Sequence, residues 1–166
     1  VIINQIPAPM IYGSPNQVTV LVPYEIKGGV ARIQVLSGGA SSQIWSVPIA
    51  PTAPAIFTAD ASGVGPAAVI QSGNLLSIYA TGEGETSPPG ETGSVIGTNL
   101  KRPLAKVSVT IGGNDAQVLY AGSAGNSVSG LLQINALIPD GVKGVVPLSI
   151  KIGDAVSQPG VTVAIQ

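Results

Sequence analysis

The chain has 166 residues, enough for one ordinary domain or two small ones, and only 9% of them are charged. Seven Lys and Arg stand against eight Asp and Glu, so a net charge of −1 gives no electrostatic footprint for nucleic acid. His and Cys are absent, which excludes Ser-His-Asp triads, thiol nucleophiles, Cys/His zinc sites and a disulfide framework.

Apolar residues come in short bursts that alternate with polar ones, the period of a half-buried strand. Val18, Val20 and Val22 alternate with Gln17 and Thr19, and Ala31, Ile33 and Val35 with Arg32 and Gln34. Pro51-Thr52-Ala53-Pro54 then reads as a stiff extended joint. Beyond it Ile56–Thr58, Ala67–Ile70 and Leu75–Ala80 read as strands. Gly82–Gly97 is the one long loop, polar and rich in Pro and Gly. The alternation resumes at Val107, Val109 and Ile111, and continues through Leu132–Ala136, Leu148–Ile152 and Val161–Ile165. Gly38-Gly39, Gly112-Gly113 and Gly153-Asp154 lie between such runs, where a tight hairpin needs positive φ. No amphipathic helical segment survives the Pro and Gly, and no apolar run is long enough to span a membrane. The pattern predicts an all-β chain.

The chain also repeats itself. Val1, Ile3, Ala8, Ile11 and Tyr12 recur 108 residues on as Val109, Ile111, Ala116, Leu119 and Tyr120. Gln17, Val18, Val22 and Pro23 recur 116 residues on as Gln133, Ile134, Ile138 and Pro139. Ser42-Gln43 recurs as Ser157-Gln158, and Val47 and Ile49 recur as Val163 and Ile165. The reading is two immunoglobulin-like β-sandwich units in tandem, residues 1–51 and 52–166, the first truncated at its N-terminus. About fifty residues rarely bury enough surface to stand alone, so the first unit is expected to dock on the second or to recruit a strand from outside. Because Val1 is not a Met and no signal-like segment follows it, the chain is expected to be a processed chain, a fragment or an excised piece, and its Cys-free, Lys-poor, Gly/Thr/Ser/Asn-rich composition fits an exported bacterial module.

The segment Leu75-Leu76-Ser77-Ile78-Tyr79-Ala80-Thr81-Gly82-Glu83-Gly84 resembles the hydrophobic-S-I-Y-x-T-G-L-G signature of the Solibacter-type uncharacterised C-terminal domain family, abundant in Acidobacteria. Ile6-Pro7-Ala8-Pro9, Tyr12–Val18, Val109–Gly113, Val118–Gly122 and Gly130–Asn135 resemble further stretches of it. The resemblance implies tandem immunoglobulin-like units of the IPT/TIG kind, at the ends of large exported proteins, with no assigned activity. Glu83 departs from the family's usual Leu, and the Gln71–Asn74 link is shorter than the family's loop.

Glu83, Glu85 and Glu91 form the only local carboxylate cluster, all in the Gly82–Gly97 loop. Paired carboxylates do glycosidase chemistry or hold Ca²⁺, but a Gly-rich loop fixes no separation between them, so a solvated loop is the expectation. Tyr12 and Tyr120 are repeat equivalents and read as packing residues, and Tyr79 as a buried anchor. Trp45 and Tyr24 read as lacking an equivalent in the repeat and are the candidates for stacking on a sugar or packing at an interface. Lys101-Arg102 is too small a basic patch for phosphates. No enzyme, cofactor or metal is expected. The expected role is an extracellular or cell-surface structural, spacer or adhesion module, its partners other domains of the parent protein, another surface protein or a polysaccharide. The alternative is a carbohydrate-binding module attached to a secreted glycoside hydrolase.

Overall fold

A computed structural model describes residues 1–166. It is all-β: about half the residues lie in strands and there is no helix, so none that is long and apolar enough to cross a membrane.

Residues 52–166 build two sheets around one core. The first runs in the order Val69–Ser72, Leu75–Thr81, Leu132–Leu137, Val118–Ser123. The second runs Gly65–Pro66, Val161–Ile165, Gly144–Ile152, Val107–Ile111, Asn114–Ala116. Strict alternation places Leu76, Ile78 and Ala80 inward from one strand and Val161, Val163 and Ile165 from another. These residues belong to a single cluster of sixteen buried side chains drawn from both sheets. Tyr79 falls on the other, half-buried face of its strand, so it is not the buried anchor its apolar neighbours imply. Gly73-Asn74 closes a two-residue hairpin, with Ser72 opposite Leu75 and Gly73 at φ 59°.

Residues 1–50 repeat half of this. Their four-stranded sheet runs Ile6–Pro7, Ile2–Ile3, Val30–Gln34, Trp45–Pro48, and each strand corresponds to one in the second sheet above. The registers agree residue by residue. Ile3 faces Ile33 as Ile111 faces Leu148, and Ala31 faces Val47 as Val146 faces Val163. The hairpin of Met10–Ser14 with Gln17–Val20 repeats that of Val118–Ser123 with Leu132–Leu137. Even the irregularity recurs, between Met10 and Tyr12 in one and between Val118 and Tyr120 in the other. The Ser42 hydroxyl accepts from the Val35 N–H at 3.0 Å, and Ser157 accepts from Ile150 at 3.1 Å.

The first repeat has no counterpart of Gly65–Pro66, Val69–Ser72 or Leu75–Thr81. Its core is correspondingly three buried residues, Ile3, Ala8 and Ala31. Positions sealed in the second repeat stand open in the first. Ile134 is 0% exposed and its equivalent Val18 is 41%, while Val161 is 2% and its equivalent Trp45 is 62%.

Candidate functional site

The open interior of the first repeat is a cavity of about 1060 Å³. Ile3, Val20, Ala31, Ile33, Val47 and Ile49 line it from the first repeat, and Glu83, Leu104, Ala105 and Gly130 from the second. Its volume is at the top of the range that small-molecule sites occupy.

The Gly82–Gly97 loop forms one wall. Gly82 and Gly84, at φ 81° and 74°, turn the chain back against the joint. A side chain at Gly82 is impossible there, since its Cβ would lie 1.8 Å from the Ala53 carbonyl oxygen. The Ala53 N–H donates to the Gly82 carbonyl at 3.0 Å, completing the contact. This turn directs Glu83 inward. The residue is 3% exposed; its carboxyl accepts from the Tyr24 hydroxyl at 2.7 Å through Oε1 and leaves Oε2 buried without a hydrogen-bond partner. Burial holds the Glu83 pKa above the ordinary carboxyl value, against the opposing pull of the Tyr24 hydrogen bond and the Lys101 charge. The Tyr24 hydroxyl is likewise shifted upward, by burial first and by Glu83 second.

Other bonds tie the loop down. Thr92 Oγ1 accepts from the Tyr24 N–H at 2.9 Å and donates to Glu25 Oε2 at 2.6 Å. Lys101 is itself buried and donates from Nζ to the Pro89 carbonyl at 2.7 Å. The Ser129 hydroxyl donates to the Glu91 carbonyl at 2.8 Å. Gly90 lies so close to the Tyr24 ring that a Cβ would come within 2.4 Å of it. The expectation of a solvated connector therefore fails, because the loop is packed between the repeats.

The structure thus joins two of the five candidate residues, Tyr24 and Glu83, and separates the rest. Glu85 is exposed at the rim of the cavity and pairs with Lys27 at 2.8 Å. The Glu91 side chain points to solvent. Trp45 lies on the inner face of the open sheet, directly opposite Ile33, at the position Val161 fills in the second repeat. Tyr120 donates its hydroxyl to the Ser123 carbonyl at 2.7 Å and lies under Arg102, whose guanidinium carbon is 4.9 Å from the ring centroid. Its equivalent Tyr12 has no such partners and is exposed, because nothing in the first repeat corresponds to Lys101-Arg102.

Chemically the site has one buried acid and one phenol. Glu85 is held charged by Lys27, its pKa lowered by that hydrogen bond and charge, and it brings no second acid to Glu83. Nowhere do three Asp or Glu side chains converge as metal ligands would. Sequence reasoning missed Thr92 and Lys101, and also the close-approach glycines, because their partners lie far away in the chain. Comparison with family models, with curated proteins and with solved structures finds no match, so the conclusions about this site rest on its own geometry.

Proposed function

We propose that the protein is a non-catalytic spacer or adhesion module of a larger exported bacterial protein, built from two immunoglobulin-like β-sandwich units of which the first is incomplete. One observation carries this reading: the Tyr24–Glu83 hydrogen bond, made in the interior, fastens the first repeat to the loop of the second. A buried acid serving catalysis needs access to substrate and a second group to act with. Here Oε1 of Glu83 is engaged by Tyr24, and no second acid stands beside it, since Glu85 is paired with Lys27 at the rim. Low charge, absent thiols and the resemblance to a family found in large exported proteins support the extracellular placement.

Double electron–electron resonance between cysteines placed at Ser37 and Asp154, one on each repeat, tests the rigidity a spacer requires. The expected result is one narrow distance distribution, broadened by Tyr24→Phe together with Glu83→Ala. A broad distribution in the otherwise unaltered chain would overturn the reading. The carbohydrate-binding alternative draws on the exposed indole of Trp45. Polysaccharide pull-down that is lost on Trp45→Ala would favour it.

A further inference from the structure

The first repeat is open on one side in three respects at once. Gln17–Val20 is paired only with Met10–Ser14, so its other edge presents free backbone groups. Trp45–Pro48 is likewise paired only with Val30–Gln34. Where this opening meets the second repeat lies the cavity, reached by Val20 from the hairpin and by Ala31, Ile33 and Val47 from the four-stranded sheet, while Val18 and Trp45 stand exposed beyond it. Unpaired edges beside exposed apolar surface are a template for strand addition.

The second repeat shows what fits such a place. There Leu75–Thr81 pairs antiparallel with Leu132–Leu137, putting Leu76 opposite Ala136 and Ile78 opposite Ile134. Both Leu76 and Ile78 are fully buried between the sheets. Since Val18 and Val20 are the equivalents of Ile134 and Ala136, the missing strand has a defined direction, register and pattern.

We propose that residues 1–50 are a strand acceptor, and that their occupant is an extended polypeptide segment from outside residues 1–166. It runs antiparallel to Gln17–Val20 and places large apolar side chains opposite Val18 and Val20, one entering the cavity beside Val20 and the next covering the open face toward Trp45. A small apolar ligand would fill volume but leave both edges unpaired. A second copy of this chain has its matching strand, Leu75–Thr81, already paired on both sides.

The chain carries its own reporter, since Trp45 is its only tryptophan and stands on the uncovered face. The probe is a peptide with the sequence of residues 69–81, added to the full chain, with tryptophan emission and acrylamide quenching as readouts. The expected result is a blue shift, a several-fold fall in quenching and slowed amide exchange at Gln17–Val20. A peptide carrying Ile78→Asp, or a chain carrying Val18→Asp, should weaken binding at least tenfold; Val18 is exposed, so its replacement leaves the fold intact. A second variant joins an added copy of residues 52–108 directly ahead of Val1, and should protect Trp45 without any peptide. Trp45 left exposed in that variant would overturn the proposal. So would a sedimenting dimer of the unaltered chain with Trp45 already protected, or protection by a fluorescent fatty acid but not by the peptide.

Discussion

The two repeats share their pairing registers, a bulge and a serine that accepts from a strand N–H, yet one encloses sixteen buried residues and the other three. Register is set within each sheet by alternation and turn chemistry, so half a unit is enough to display it. Burial needs the facing strands as well. More than half of the large apolar side chains left exposed belong to residues 1–50, less than a third of the chain. A strand pattern therefore specifies which face is inward whether or not there is an interior to receive it.

The sharpest way to break this comparison is to truncate the same position in each repeat. Ile134→Ala should cost about 2–5 kcal/mol, as for other buried Ile-to-Ala changes. That lowers the melting temperature by roughly 5–15 °C in a chain of this size. Val18→Ala, at the equivalent exposed position, should stay within about 0.5 kcal/mol. Equal losses by calorimetry would mean that the first repeat has a sealed interior, contrary to the comparison.

A smaller contrast is expected at the serines. Ser157 is buried, so Ser157→Ala orphans the Ile150 N–H and should cost about 1–2 kcal/mol by urea titration. Ser42 makes the same bond in water's reach, and Ser42→Ala should be close to neutral.

The smallest effect belongs to Glu83. Its folded-state pKa is raised, so its stabilising contribution is complete below the ordinary value of 4.5 and is lost as pH rises through the higher folded one. Glu25, Asp60 and Glu85 are lowered and act in the opposite sense, losing their contribution as pH falls. Subtracting a Glu83→Gln variant removes those shared contributions. The variant should match the unaltered chain at pH 4 and melt higher than it at pH 8. A variant that matches at pH 4 but is less stable at pH 8 would show that Glu83 is needed ionised.

Much of this fold was legible before any coordinates. Alternation at Val107–Ile111 and Val161–Ile165 marks real strands, and the offsets that align Tyr12 with Tyr120 and Ser42 with Ser157 align their hydrogen-bond registers too. That residues 1–50 have no counterpart of Leu75–Thr81 was visible for the same reason. The site was much less legible. Glu83 looks like a loop carboxylate because its neighbours are Gly, Glu and Thr, and its burial depends on Tyr24, 59 residues away. Composition marks Gly82–Gly97 as mobile, whereas its order comes from Thr92, Lys101 and Ser129 reaching across from separate places in the chain. Local pattern encodes strands well and encodes contacts between distant loops hardly at all.

The meeting of Gly82 with the Ala53 carbonyl has a consequence for how the chain resists enzymes that cut it. A Pro-rich stretch between two repeats is ordinarily where a protease enters, because its backbone is solvated and easily drawn into a cleft. Here the Ala53 N–H is bonded to Gly82, Pro54 is buried, and the Thr52 hydroxyl donates to the Ile152 carbonyl at 2.7 Å. Cleavage between the repeats therefore requires the start of the second repeat to come loose first. The apparent linker is held by backbone pairing like the strands beside it, even though the side chains of Pro51 and Ala53 are exposed.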